Sequence, residues 1–172
     1  NAYLTDGNTL LISTIRKGEK KPLPQRKAKI KWLIEHGADV NKRDCGRRYF
    51  PPLSHAVQMN EYDIFCFLLT ECHANPNVGS RNPFDAGKVR QKNEGNMPLM
   101  VAAWEGKKDF IVALCKDSRT SVNQQDANGF TALMKACMNG HFAENHKKHT
   151  CDCKKVLLDA GADQKIVDID GR

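Results

Sequence analysis

Cys137, His141, His146, His149, Cys151 and Cys153 fall within one short stretch and are the cluster whose side chains could hold a metal. Zinc takes four nitrogen or sulfur ligands in a tetrahedron, and imidazole and thiolate suit it. The spacing departs from a zinc finger, because Cys-x-Cys lacks the two-residue knuckle between paired cysteines. His146, His149, Cys151 and Cys153 are the candidate ligands; the expected reading is a polar connecting segment with no metal and no cofactor. The same residues could be written down as a Cys/His catalytic set, but catalysis needs a nucleophile, a base and an orienting group brought together. The sequence contains no Gly-x-Ser-x-Gly, phosphate loop, His-Glu-x-x-His or kinase signature. No catalytic residue is assigned, and the chain is not expected to be an enzyme.

Charge offers a second chemistry. Lys and Arg number 27 against 20 Asp and Glu, a formal net charge of +7. Residues 1–92 hold 16 basic and 9 acidic groups and residues 93–172 hold 11 of each, so the surplus lies in the first half. Arg16, Lys17, Lys20, Lys21, Arg26 and Lys27, then Arg43, Arg47 and Arg48, form a basic patch that could attract an acidic protein, a phosphoinositide headgroup or nucleic acid. Nucleic-acid readout adds stacking aromatics, and Tyr49 and Phe50 are the aromatics within the patch. The plainer expectation is a solvated insertion.

Composition limits the scaffold that must carry these groups. The chain has 172 residues, 40% of them hydrophobic and 7% aromatic, which suits one α-rich core or a stacked array better than an aromatic-cored β-sandwich. No apolar run approaches the ~20 residues a membrane span needs. Seven cysteines, an odd number, include Cys66 inside the apolar run Ile64-Phe65-Cys66-Phe67. Free thiols packed as small hydrophobes favour a reducing, cytoplasmic setting. The opening Asn1-Ala2, without an initiator Met or signal peptide, suggests a piece of a longer protein.

Repetition supplies the architecture. Four segments open alike: Gly7-Asn8-Thr9-Leu10-Leu11, Pro51-Pro52-Leu53-Ser54-His55-Ala56, Gly95-Asn96-Met97-Pro98-Leu99 and Gly129-Phe130-Thr131-Ala132-Leu133. Each is followed by a second apolar stripe, Ile30-Lys31-Trp32-Leu33-Ile34, Ile64-Phe65-Cys66-Phe67-Leu68-Leu69, Phe110-Ile111-Val112-Ala113-Leu114 and Val156-Leu157-Leu158, which predicts a helix with one buried face. Gly37-Ala38-Asp39 and Gly161-Ala162-Asp163 put glycine where a helix end wants a left-handed residue.

With Asp126-Ala127-Asn128-Gly129-Phe130-Thr131-Ala132-Leu133, Gly140-His141 and Gly37-Ala38-Asp39-Val40-Asn41, the sequence resembles the ankyrin-repeat family. The resemblance implies an all-α solenoid of helix pairs joined by β-turn fingers, one domain over residues 1–172. Its units fall at about 5–41, 44–77, 92–123 and 126–165, with the start of a further finger at 166–172. The leucines Leu11, Leu53, Leu99 and Leu133 are separated by 42, 46 and 34 residues, against a family period of about 33. Insertions are therefore expected near Glu19 to Lys27, Val78 to Gln91 and Ala143 to Cys153.

The resemblance further implies a protein-binding module that contacts another protein through its fingers and first helices. The contact positions map to Gln58, Met59, Asn96, Trp104, Glu105, Asn128, Phe130, Met138 and Asn139. Trp104 and Phe130 are the expected anchors, since aromatic groups bury much area at small rotamer cost. Leu33 with Asp39-Val40-Asn41 is similar to the segment an asparaginyl hydroxylase modifies in ankyrin fingers, which makes Asn41 a possible acceptor. Its plainer role is turn hydrogen bonding. Irregular, insertion-laden units of this kind also look like those of effectors that intracellular bacteria deliver into host cytosol, and like those of eukaryotic scaffolds.

Overall fold

A computed structural model describes residues 9–16, 22–45, 49–80, 95–142 and 147–171. Eight helices lie among them: α1 (Leu10–Ile15), α2 (Leu23–Glu35), α3 (Pro52–Gln58), α4 (Tyr62–Thr70), α5 (Pro98–Trp104), α6 (Lys108–Lys116), α7 (Ala132–Phe142) and α8 (Lys147–Asp159).

Each first helix starts on a residue suited to the task. Thr9 caps α1 by accepting a hydrogen bond from Ile12 N–H, and Thr131 accepts one from Met134 N–H. In α3 and α5 a proline opens the helix instead, where a missing N–H costs nothing. The helix ends are equally explicit. Gly37 takes φ +89°, Gly37 N–H bonds Ile34 O, and Ala38 N–H reaches back to Leu33 O, which closes the last turn of α2. Gly161 and Ala162 do the same for α8 through Leu158 O and Leu157 O. Between paired helices, Gly106 and Asn60 occupy the equivalent left-handed position, with φ of 68° and 58°.

The pairs pack in single file. α1, α3, α5 and α7 stack in one row, and α2, α4, α6 and α8 lie along their backs, each in contact with sequence neighbours. Ala56, Ala102, Ala103 and Ala136 are fully buried in the first row, where small side chains let the backbones approach closely. Behind them Ile30, Ile64, Phe65, Leu68, Ile111, Leu114 and Leu157 make a continuous core, with the Phe65 and Phe110 rings edge to face at 4.9 Å. No pair could seal its apolar side alone, so stability comes from neighbour stacking.

Side chains tie the loops together one unit at a time. Asn41 Oδ1 accepts from Asn75 N–H, Asn77 Oδ1 from Ser121 N–H and Asn123 Oδ1 from Asp163 N–H, at 2.9, 2.8 and 2.8 Å. The partners are 34, 44 and 40 residues apart, so the ladder survives insertions of different length. Finger acids reach into the helix rows: Asp44 Oδ2 lies 2.7 Å from His55 Nε2, and Asp126 Oδ2 2.8 Å from Lys135 Nζ. Asp168 Oδ1 accepts from Asp170 N–H as Asp126 Oδ1 accepts from Asn128 N–H, so the chain enters another finger-like turn there.

Several expectations need correction. Leu23 to Lys27 are helical, because Pro22 is the N-cap of α2 and Pro24 sits in its first turn, where proline is tolerated. Lys147 to Cys153, expected as part of the fourth insertion, form the first half of α8. Gly140 and His141 lie inside α7 and not in a turn, since the longer connection does not force the chain to reverse there. Ser80 pairs with Asn96 and Gly95 through three hydrogen bonds, which join the two described sides of the third finger.

Candidate partner-binding surface

α3, α5 and α7 stack side by side in one row. Trp104, the last residue of α5, is 42% exposed. Gln58 and Met59 hold the matching position in the preceding unit, and Met138 lies in the following one; all three are half-buried. This edge is held stiffly. Lys107 Nζ donates to the carbonyls of Val57 and Gln58 at 2.5 and 3.0 Å and pairs with Glu105 at 2.6 Å. A cation on the last carbonyls of α3 satisfies their free acceptors and suits the negative end of the helix. Glu105 and the Gln58 backbone are thus parts of the joint between units, while the Trp104 indole projects from it.

The finger residues differ in accessibility. Asn128 is half-buried, donates its N–H to Asp126 Oδ1 and accepts from Ile169 N–H at 3.2 Å. Asn96 is half-buried, donates its N–H to Ser80 Oγ and keeps its Oδ1 buried without a partner. Phe130, expected to face solvent, is half-buried: its backbone closes the finger onto Asp126, and Lys135 Nζ lies 4.7 Å from its ring centroid. The ring is held between a buried cation and the finger, so it offers less contact area than Trp104. The side chain of Asn139 lies outside the described residues. An open groove of about 820 Å³ runs under the fingers of the third and fourth units, between Ser80, Gly95, Met97, Gln125, Asp126 and Ile169. None of the nine expected contact residues lines it.

Of the expected basic patch, Arg26 does not face solvent. Arg26 is buried: Nε donates to Thr14 O, Nη2 to Ile15 O, and Nη1 pairs with Glu61 Oε2 at 3.2 Å. It closes the end of α1 and locks the first pair onto the second. Lys27 Nζ sits 5.4 Å from the Phe67 ring centroid, and Arg43 Nε donates to Gly79 O at 2.6 Å. Arg16 is half-buried. Lys17, Lys20, Lys21, Arg47 and Arg48 lie outside the described residues.

The cysteine and histidine candidates divide similarly. Cys153 is fully buried in the core, and burial, followed by the neighbouring Asp152 charge, raises its thiol above the ordinary range. A sealed, protonated thiol is a packing group and a poor ligand. His149 and Cys151 belong to the backbone of α8, but their side chains, like all of His146, lie outside the described residues. Among the described residues no group of three metal-type side chains converges, and no helix is long and apolar enough to cross a membrane. Asn41 is half-buried and engaged in the ladder through Oδ1.

Sequence reasoning missed Trp32. It stands in the apolar run Ile30 to Ile34, yet the residue is 55% exposed, because α2 buries Arg26, Ile30 and Leu33 and turns residue 32 outward. The spacing of those three positions was the signal.

The family model for ankyrin repeats, in three copies, matches residues 79–168, more than half of the chain. Alpha-latrocrustotoxin-Lt1a of Latrodectus tredecimguttatus is 29% identical over 81% of this chain and 8% of the toxin. Glycerophosphocholine phosphodiesterase GDE1 of Candida albicans is 33% identical over 63% of this chain and 8% of that protein. The chain thus corresponds to a small fraction of either relative. The crystal structure of EF0377, an ankyrin repeat protein, superposes with a TM-score of 0.70 at 28% identity, covering 98% of this chain and 72% of that one.

Proposed function

Because the chain belongs to the ankyrin-repeat family, we propose that its protein-interaction role is exercised through the row formed by Gln58, Met59, Trp104 and Met138, with the neighbouring fingers as the rim. The exposed indole of Trp104 carries this reading. It projects from an edge already fixed by Lys107, so a partner could bury it with little ordering cost. Half-buried methionines on either side supply an adaptable apolar surround. The pairs Asp44 with His55 and Asp126 with Lys135 are sealed inside the joints they brace, which supports a structural role for them.

The rival electrostatic reading is weakened by the burial of Arg26 and by the engagement of Lys27 and Arg43. The zinc or Cys/His reading is weakened by the buried Cys153 thiol. A reducing, cytosolic setting fits the free cysteines among the described residues. Affinity capture from cytosol with the wild type and with Trp104→Ala tests the reading. Loss of a captured protein at unchanged thermal stability supports it; equal capture by both contradicts it.

A further inference from the structure

The outer face of α2 carries an aromatic group that the row above does not use. Trp32 and His36 stack with ring centroids 4.0 Å apart and planes 23° from parallel, and His36 Nδ1 lies 2.8 Å from Trp32 O. The four-residue spacing places both on one helix flank, so the pair holds the indole in one orientation while leaving it 55% exposed. Among the described residues no large hydrophobic side chain is more exposed except Ile169. Core packing explains nothing of this arrangement, because the buried residues of α2 lie on the other side of the helix.

Charge indicates what would cover it. The helix reads Leu-Pro-Gln-Arg-Lys-Ala-Lys-Ile-Lys-Trp-Leu-Ile-Glu, four basic residues against one acid. Arg26 is internal and Lys27 reaches the Phe67 ring, which leaves Lys31, exposed one residue before the indole, and half-buried Lys29, one turn before it. Ala28, also one turn before, is exposed and too small to fill the space next to the ring. We propose that this face, Trp32 flanked by Lys29, Lys31 and His36, is a second docking surface, for an acidic protein segment that carries an apolar side chain. The apolar group would pack on the indole over Ala28 while carboxylates meet the lysines.

Two other occupants fit less well. Interfacial membrane binding needs a broad apolar face, and Trp32 is the single large hydrophobic residue exposed on α2. Single-stranded nucleic acid stacks on successive open rings, but here the His36 ring already occupies one face of the indole.

Selection of a random peptide library on the full chain, with counter-screening on Trp32→Ala and Lys31→Glu, tests the proposal. Both substitutions are at exposed positions, and unchanged circular dichroism would verify that the variants fold. The expected result is a class of peptides with an apolar residue between acids, weakened at least about tenfold by either variant. Selected peptides that ignore Trp32, or Trp32-dependent peptides that are neutral or basic, would overturn it. So would Trp32-dependent binding to phosphatidylserine vesicles, or to a single-stranded oligonucleotide, without acidic peptide binding. Trp104→Ala, read in the same selection, is expected to leave this class intact, which separates the two surfaces.

Discussion

Arg26 of the first helix pair and Glu61 of the second meet at 3.2 Å, with side chains only 9% and 11% exposed. The same guanidinium takes the carbonyls of Thr14 and Ile15. Arg26→Ala removes all three bonds and leaves the Glu61 carboxylate buried without its cation, a change that costs about 3–5 kcal/mol in comparable sites. Urea unfolding followed by circular dichroism should show that loss. A double replacement, Arg26→Met with Glu61→Leu, should recover part of it, because no unpaired charge remains.

The fourth finger depends on Gly129 for two separate reasons. Its φ is +78°, and a Cβ there would lie 2.8 Å from Ile169 N and 2.9 Å from the Asp168 Cα. Gly129→Ala is expected to cost ~1–3 kcal/mol from backbone strain and displacement of the following turn. Gly37→Ala shares the left-handed strain, φ +89°, but meets nothing within 4 Å, so it should cost less. The difference in urea midpoints between the two variants checks this.

Much of this architecture was legible in sequence, for physical reasons. Gly37 and Gly161 announced left-handed helix ends because glycine adopts that conformation without strain. Asn60 and His73 adopt it too, at φ 58° and 53°, and no glycine marked them. Pro22 and Pro24 fall in the stretch expected as an insertion, yet they open α2. Arg26 counted as surface charge because its three acceptors come from two other segments, α1 and the turn before α4, which a local reading cannot bring together. The exposure of Trp104 follows from the family resemblance, whereas that of Trp32 is hidden in an apolar run and shows only against the spacing of Arg26, Ile30 and Leu33.

Lys135 and Asp126 form the most enclosed of the described ion pairs, with side chains 6% and 0% exposed. Asp126 also accepts the N–H groups of Asn128 and Phe130. Asp126→Ala should therefore destabilise the fold by about 3–5 kcal/mol and loosen the Phe130 finger. Hydrogen exchange at the Asn128 and Phe130 amides should quicken beyond the global change.

Cys72 and Cys115 have thiols pushed up to about 11, by burial in both cases and by the Glu71 charge at Cys72. Raised folded values mean that their contribution to stability is fully present below the ordinary value of about 9 and is lost as pH rises through about 11. Near neutral pH both should be nearly all thiol and should alkylate slowly with iodoacetamide. Exposed Cys45 should label first, and peptide mass spectrometry across pH 7 to 10 gives the order. Early labelling of Cys115 in the folded protein would argue against its packing.

The binding claim is tested most directly by a photo-crosslinking amino acid placed singly at residues 58, 59, 104 and 138, and at control positions on the second-helix row, in cells that make the partner. The account predicts that one protein crosslinks from position 104 and at least one of its neighbours in the row, and not from Leu158, exposed on α8. Crosslinks that form from Leu158 and from none of the row positions would contradict it.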